Sequence, residues 1–432
     1  MGGSKRGKGH KKSSAKHSKP AAEKHTAEKH TAEKHPVESA LYKRLTRRDF
    51  LKKAALGAAG VGIAAYALNR TLFYKGSHEL SAESHVFSGD APKEAWKWSK
   101  EAYHYMNFGK DVQCLLCPNH CRLSPGDRSI CRVRVNIGGK LYSLAYGNPC
   151  SVHVDPIEKK PLYHFLPTTK VFSIATAGCN FRCLNCQNWQ ISQFKPEETA
   201  NVEMFPDAVV QNALQAGSKS VAYTYSEPSV FYEYMYDTSK IARQHGLRNV
   251  WVTNGFMNPE PLTQLCEVLD AANIDLKSFS DETYSKLNAG ALRPVLDSIK
   301  LCAEKKVWTE VTWLTVPTWS DDMDMIRRGM EWLYKNIGPE YPVHFSRFTP
   351  LYRLTGLPMT PVSTLESARK VAMDAGMKYV YIGNVPGHDA ENTYCPKCGK
   401  IVIKRRGYSV DLSGFQDGAC RNCGEPVSGV WK

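Results

Sequence analysis

The sequence has no long hydrophobic segment. Its apolar run near the amino terminus, Ala54–Leu68, has 15 residues, fewer than the roughly 20 that an apolar helix needs to cross a bilayer. Acidic residues are scarce in the same region, where residues 1–53 carry 16 Lys and Arg against 5 Asp and Glu. The other 379 residues carry 41 basic and 37 acidic side chains. The formal charge of +15 therefore comes from a basic tail and does not indicate nucleic-acid binding.

Large apolar side chains are nearly missing from residues 1–40, which are rich in Lys, His, Ala and Ser. Such a segment cannot bury enough surface to offset the entropy of ordering, so we predict a disordered tail. Residues 41–70 resemble a bacterial twin-arginine export signal, because Arg47, Arg48 and Phe50 precede the apolar run. The resemblance implies export or inner-membrane contact through residues 50–70, and a buried helix in a cytoplasmic protein is the alternative. We predict a linker over residues 71–108.

The 14 cysteines are not scattered. Eleven of them form three sets, and C-x2-C spacing in a chain of 432 residues favours metal binding over disulfides. Cys150, Cys266 and Cys302 lie outside the sets, and we expect them to be buried as small hydrophobic residues.

The middle set has the spacing C-x3-C-x2-C and follows a strand-like apolar run. It consists of Cys179, Cys183 and Cys186. A cubic 4Fe–4S cluster takes four thiolates, one per iron. Three cysteines therefore leave one iron with an open position, as in catalytic metal sites. A partial zinc site and buried thiols are the alternatives that the spacing alone leaves open.

The first set predicts a metal-bound module over residues 109–167, because Pro and Gly turns separate its four cysteines. Four thiolates suit zinc or an auxiliary iron–sulfur cluster, and reduced thiols are the third option. The set consists of Cys114, Cys117, Cys121 and Cys131.

The last set repeats Cys-x2-Cys-Gly and predicts a zinc-ribbon or rubredoxin-like module over residues 387–432. Zinc in this cage would be structural, whereas iron would be redox-active. The set consists of Cys395, Cys398, Cys420 and Cys423.

Residues 168–386 alternate between strand-like and helix-like segments. This alternation predicts an α/β fold with a parallel sheet, in which ligands bind at the carboxyl ends of the strands. Polar residues at the ends of successive predicted strands are expected to bind the cofactor: Glu227, Asn254, Asp275 and Lys277. The alternatives are a helix cap at Glu227, an ordinary turn at Asn254 and a plain ion pair between Asp275 and Lys277.

These motifs resemble the radical S-adenosylmethionine superfamily and, over residues 171–386, the branch of pyruvate formate-lyase-activating enzyme. The resemblance implies a partial (β/α)6-type barrel, S-adenosylmethionine on the open iron, and Glu227 on the amino group of that cofactor. Several further stretches resemble the radical enzyme of the AmmeMemoRadiSam system. They are residues 114–118, 155–165, 186–192 and 381–387, and the last four cysteines.

Two stretches leave the role of a residue open. The position before the third cysteine is usually aromatic in the superfamily and contacts adenine, but here it is Asn185, so Phe181 or Trp189 takes that role in our interpretation. The charged stretch 155–165 is either a connecting loop or, through Lys159, Lys160 and His164, part of the mouth of the site.

The sequence therefore predicts a radical oxidoreductase that cleaves S-adenosylmethionine and abstracts hydrogen from a protein glycine or another substrate. The implied partners are a low-potential electron donor of the flavodoxin or ferredoxin type and a protein substrate, with no nucleic acid. A non-catalytic electron-transfer protein with several iron–sulfur clusters is the alternative from another functional class.

Overall fold

The computed structural model describes residues 86–432. The predicted tail (1–40), the twin-arginine-type segment (41–70) and residues 71–85 of the predicted linker lie outside the described residues. No helix within residues 86–432 is long and apolar enough to span a bilayer.

Short antiparallel strands form an amino-terminal module. They are β1 Lys100–Glu101, β2 Tyr105–Phe108, β3 Asp111–Cys114, β4 Arg122–Leu123, β5 Arg134–Ile137 and β6 Lys140–Ser143. Residues 133–137 and 140–144 alternate between apolar and polar side chains around Gly138 and Gly139, which predicts a hairpin. Strands β5 and β6 form this hairpin, and both glycines turn it with positive φ angles. The predicted linker over residues 71–108 is wrong for residues 100–108. These residues include two strands, because β1 pairs with β6 and β2 pairs with β3.

The central sheet has eight strands, which neighbour one another in chain order. They are β7 Ser151–Pro156, β8 Lys170–Ala175, β9 Ser220–Tyr223, β10 Arg248–Thr253, β11 Ala271–Asp275, β12 Trp308–Thr315, β13 Val343–Arg347 and β14 Val380–Gly383. The pairing is parallel from β8 to β14, so the predicted α/β class is confirmed with seven parallel strands rather than six. We had assigned β7 to the cysteine-rich module, but it pairs antiparallel with β8 and forms one edge of this open sheet.

Six helices of eight or more residues lie in the described part of the chain. They are α1 Pro206–Gln215, α2 Tyr232–Gln244, α3 Pro259–Cys266, α4 Leu292–Glu304, α5 Met323–Asn336 and α6 Val362–Asp374. Pro206 and Pro259 occupy first turns, where no N–H donor is needed. Asp322 caps α5 by accepting a hydrogen bond from the Met325 amide at 2.7 Å.

One hydrophobic core runs through the amino-terminal module and the sheet. Val112 and Leu123 of the module belong to the same buried cluster as Trp251 and Ile274 of the sheet. The module is therefore built onto the barrel and shares its core.

The carboxyl-terminal module docks at the amino ends of the parallel strands. Its strands are β15 Thr393–Tyr394, β16 Ile401–Arg406, β17 Ser409–Asp411, β18 Phe415–Gln416 and β19 Ala419–Cys420. Arg405 donates to the Tyr163 carbonyl at 2.7 Å, and its guanidinium lies 4.3 Å from the centre of the Tyr163 ring. Tyr163 contacts Tyr381, the second residue of β14.

A buried ion pair joins the amino-terminal module to α2. Arg134 on β5 donates to both carboxylate oxygens of Glu233, at 3.1 and 2.7 Å, and both side chains are almost fully buried. The Tyr103 amide also donates to this carboxylate at 3.0 Å. The pair needs both partners, because a lone buried charge is unfavourable.

We predict that Glu233→Gln destabilises the protein by about 3–5 kcal/mol, because it leaves the Arg134 guanidinium buried without a counter-charge. Urea unfolding followed by far-UV circular dichroism measures this. Asp297→Asn is the matched control, since Asp297 pairs with Arg293 on an exposed face, and it should leave the midpoint nearly unchanged. Equal effects of the two substitutions would contradict the role of the buried pair.

Candidate active site

The predicted site residues meet at the carboxyl ends of β8–β11. Cys179 and Glu227 follow β8 and β9 by four residues each, Asn254 follows β10 directly, and Asp275 ends β11. The Asn254 amide donates to Glu227 Oε2 at 2.8 Å, and Asn254 Nδ2 lies 3.9 Å from Cys179 Sγ. The ends of neighbouring parallel strands β8, β9 and β10 thus bring together residues that are 75 positions apart in the chain.

Each thiol of the predicted cluster set has a polar neighbour of its own. Cys179 Sγ accepts from the Phe181 amide at 3.3 Å. Cys183 Sγ accepts from Asn288 Nδ2 at 3.2 Å, and Cys186 Sγ lies 3.1 Å from Ser192 Oγ. Hydrogen bonds to sulfur are a principal means by which proteins hold and tune iron–sulfur clusters.

The three sulfurs fit a cluster better than a single ion. All three side chains are half-buried, and they do not form a group within 4.8 Å of one another, as ligands of one ion would. Burial, Glu227 and Cys183 raise the pKa of Cys179, and burial raises the pKa of Cys183 to about 11 despite the nearby Lys277 cation. Thiolates at neutral pH therefore depend on bound metal charge, which iron would provide.

Glu227 is a buried cap that ties two strand ends together. Its Oε1 accepts from the Ser229 amide at 3.0 Å, from Ser229 Oγ at 2.6 Å and from Thr253 Oγ1 at 2.7 Å. With the Asn254 amide, four donors occupy a carboxylate that offers about four acceptor positions. Burial raises the pKa of Glu227 in spite of these donors. The structure thus shows the capping interaction that we named as the alternative, and contact with the cofactor remains a prediction.

Asn254 holds the loop of residues 179–186, here called the cysteine loop, by hydrogen bonds. Its Nδ2 donates to Asn180 Oδ1 at 2.8 Å, and its Oδ1 accepts from the Phe256 amide at 2.9 Å. Asn180 in turn donates to the Phe256 carbonyl at 2.9 Å. We did not identify Asn180 from the sequence, where it is an unspecified residue between two cysteines. The predicted contact of Asn254 with the cofactor remains a prediction.

Asp275 and Lys277 form an ion pair at the carboxyl end of β11. Lys277 Nζ is 2.8 Å from Asp275 Oδ2. Burial lowers the pKa of Lys277, but Asp275 and the neighbouring Cys183 outweigh it and raise the pKa overall. A lysine held cationic beside a cluster cysteine suits an anionic ligand such as a carboxylate, and the pair is also a complete ion pair by itself.

The two aromatic residues considered for adenine lie in different surroundings. Phe181 is 1% exposed and packs against Phe256 and Gly290, so it belongs to the core. Trp189 is half-buried and stacks on Tyr352, with ring centres 5.2 Å apart. Of these two, Trp189 is therefore the aromatic surface that a ligand can reach.

The two ends of the charged stretch 155–165 have different neighbours: Asp155 contacts Tyr225, and His164 contacts the carboxyl-terminal module. Asp155 accepts from Lys159 at 2.9 Å, from Lys160 at 2.6 Å and from the Tyr225 hydroxyl. Burial opposes ionisation of Asp155, but these donors lower its pKa overall. His164 is fully buried and contacts the carboxyl-terminal module through the Ser428 carbonyl. His164 therefore does not line the mouth of the site.

Comparison with known proteins identifies the family of the central domain. The Radical SAM superfamily profile matches residues 173–328. An uncharacterized protein of Methanocaldococcus jannaschii is 47% identical over 331 residues, which are 76% of this chain and 98% of that protein. The pyruvate formate-lyase 1-activating enzyme of Escherichia coli is 25% identical over 219 residues, 47% of this chain and 89% of the enzyme. The chain therefore contains a domain of the radical SAM superfamily.

Solved structures of this superfamily also align with the chain. A domain of pyruvate-formate lyase-activating enzyme from Bacteroides vulgatus covers 39% of this chain and 100% of its own length, with 17% identity and a TM-score of 0.35. A radical SAM methyltransferase from Sphaerobacter thermophilus covers 66% of this chain and 76% of its own, with 11% identity and a TM-score of 0.41.

The carboxyl-terminal module carries a separate four-cysteine site. The thiols of Cys395, Cys398, Cys420 and Cys423 lie within 4.8 Å of one another. The Cys395 and Cys423 sulfurs are 3.6 Å apart, and those of Cys398 and Cys420 are 3.8 Å apart. This group can bind one metal ion.

Gly178 immediately precedes Cys179 and lies where the cysteine loop meets the amino-terminal module. Its φ is +96°, and a Cβ there would lie 2.3 Å from Val133 Cγ2 and 2.5 Å from the Cys131 carbonyl oxygen. Gly217 also has a positive φ, +65°, but a Cβ there would have no neighbour within 4 Å.

We predict that Gly178→Ala destabilises the protein by about 1–3 kcal/mol more than Gly217→Ala, because both share backbone strain but only the first adds a steric overlap. Urea unfolding measures the difference, and iron bound after anaerobic reconstitution should fall only in Gly178→Ala. Equal unfolding midpoints for the two variants would refute the close contact at residue 178.

Proposed function

We propose that this protein is a radical S-adenosylmethionine enzyme of the activating-enzyme type, which abstracts hydrogen from a protein glycine or another substrate. The observation that carries the proposal is the loop of Cys179, Cys183 and Cys186 at the carboxyl end of the sheet. Its three half-buried thiols have separate polar neighbours and are too widely spaced for one ion. Three thiolates leave one iron of a 4Fe–4S cluster without a protein ligand.

The bound cluster and S-adenosylmethionine would supply a 5′-deoxyadenosyl radical. The chain itself holds three sulfurs, keeps Lys277 cationic beside Cys183, and offers Trp189 as an aromatic surface next to the loop. No side chain needs to act as an acid or base for this chemistry, so the role of the protein is to orient and shield its ligands.

Sequence relatives support the activating-enzyme type. The Escherichia coli enzyme aligns with nearly half of the chain, and its name describes the activation of pyruvate formate-lyase. On the motifs from Cys114 to the last cysteines, we further propose membership in the AmmeMemoRadiSam system. We also propose a flavodoxin- or ferredoxin-type electron donor, and export or anchoring by the twin-arginine-type segment, which lies outside the described residues.

We infer that the carboxyl-terminal cysteines hold structural zinc. Thiolates in a tetrahedron around zinc, at 2.3 Å each, are about 3.8 Å apart, which agrees with the observed 3.6 and 3.8 Å. Trp431 of the module contacts His164. His164 in turn contacts Trp308 and Tyr381, which lie near the amino ends of their strands. A strand of six residues spans roughly 20 Å, so this position does not favour electron transfer to the cysteine loop at the opposite ends.

We predict that reconstituted protein, reduced by dithionite, converts S-adenosylmethionine to 5′-deoxyadenosine, and that Cys183→Ser lowers the product below detection. Liquid chromatography of the quenched reaction measures it. Cys150→Ser is the matched control, because this half-buried thiol lies outside every set and contacts the Ala175 carbonyl at 3.6 Å. Unchanged cluster spectra on addition of S-adenosylmethionine, with no product, would instead favour a plain electron carrier.

We predict one zinc per chain at the carboxyl-terminal site, lost in Cys395→Ser/Cys398→Ser and retained in Cys150→Ser. Metal analysis by mass spectrometry checks this, and thermal unfolding should begin at lower temperature without the ion, because structural zinc contributes to folding stability. Iron with the visible absorption of a ferric tetrathiolate would show that zinc is the wrong assignment.

A further inference from the structure

The four cysteines of the amino-terminal module gather around one small cavity. Cys114, Cys121 and Cys131 are buried, and Cys117 is half-buried. All four line the cavity, together with Ser129, Arg134 and Asn180. The proposed function does not use these cysteines. Their closeness in the sequence does not by itself explain why all four thiols line the same cavity.

The spacing of these sulfurs does not suit a single ion. Among the described residues, only the carboxyl-terminal cysteines place three or more ligand atoms within 4.8 Å of one another. Four sulfurs at 2.3 Å from one zinc ion would lie about 3.8 Å apart, inside that limit. A cubic cluster needs the wider arrangement, because each thiolate binds a different corner.

The surroundings suit an anionic group. Arg134 lines the cavity, and Arg132 and Arg182 are close enough to interact with the charges of Cys131 and Cys121. Each of these three arginines has one buried guanidinium nitrogen without a hydrogen-bond partner among the described residues. Four thiolates around a cluster core carry net negative charge, which donors of this kind stabilise. Ser129 Oγ lies 3.0 Å from Cys131 Sγ and adds a neutral polar contact.

We propose that Cys114, Cys117, Cys121 and Cys131 hold a second 4Fe–4S cluster, with one thiolate on each iron. Because every iron then has a protein ligand, this cluster has no open position and does not bind S-adenosylmethionine. This inference goes beyond the proposed function and does not depend on it.

The second site lies directly beside the cysteine loop. The Cys131 carbonyl abuts Gly178, and Asn119 Nδ2 donates to the Asn180 carbonyl at 3.1 Å. Asn180 lies both in the cysteine loop and in the wall of the second cavity. The two cysteine sets therefore share a wall, whereas the carboxyl-terminal set lies near the amino ends of the strands.

The test is acid-labile sulfide in full-length protein after anaerobic reconstitution with iron and sulfide. Sulfide counts clusters only, because the carboxyl-terminal ion carries none. We expect about eight sulfides per chain in the native sequence and about four in Cys179→Ser/Cys183→Ser/Cys186→Ser. The electron paramagnetic resonance signal of the reduced triple variant should not change when S-adenosylmethionine is added. Cys150→Ser should keep all eight sulfides, and retained zinc reports that each variant is folded.

The outcomes separate this inference from the proposed function. A folded triple variant with no sulfide, beside native protein with about four, would overturn the second cluster and leave the first in place. About four sulfides in both proteins would support the second cluster and overturn the first. A second zinc ion per chain, removed by Cys114→Ser/Cys117→Ser, would also overturn the inference.

Discussion

The closeness of the backbone at Gly178 to the amino-terminal module is the constraint on which the site depends. The Cys131 carbonyl and the Val133 side chain occupy the space that any side chain at residue 178 would need. Gly178 also adopts a φ of +96°, which residues with a Cβ rarely take. Because Cys131 and Cys179 flank this contact, one close approach fixes the position of both cysteine sets.

The polar contacts around the loop form a connected network. Asn180 and Asn254 join the cysteine loop to the end of β10, and Glu227 joins that end to the end of β9. Buried networks of this kind hold one conformation when their members are paired. The three sulfurs are thereby oriented by the protein itself, so binding a cluster requires little further ordering of the loop.

The sequence predicted what depends on local pattern. Alternation of strand and helix segments gave the α/β class, Gly138–Gly139 gave the hairpin, and cysteine spacing separated three sets. Pairings between distant residues could not be predicted this way. Asn288, which donates to Cys183, lies 105 positions away from it, and the Asn-Ala-Gly sequence at that point indicates only a turn.

Two errors have identifiable physical causes. The segment of β7 ends in Asp155 and Pro156, which resemble a loop, but Asp155 is neutralised by Lys159 and Lys160 and Pro156 lies at a strand end on a sheet edge. The strands within residues 100–108 have only two and four residues, too few for a clear local pattern, and pairing with β6 and β3 holds them in place. In both cases tertiary contacts outweighed the local preference.

Polar groups at the two ends of the sheet serve different purposes. At the amino ends, Glu310 accepts from the Tyr163 and His164 amides at 3.0 and 2.8 Å and contacts His344 Nε2 at 2.6 Å. Burial lowers the pKa of His164 to about 4, so a neutral imidazole bridges Tyr381 and Ser428. Glu310 thus holds the Tyr163–His164 segment against the sheet, and the two nitrogens of His164 join β14 to the last module. At the carboxyl ends, half-buried thiols and a cationic lysine are available to bind ligands. We therefore assign the chemistry to that end of the sheet and the attachment of the last module to the other.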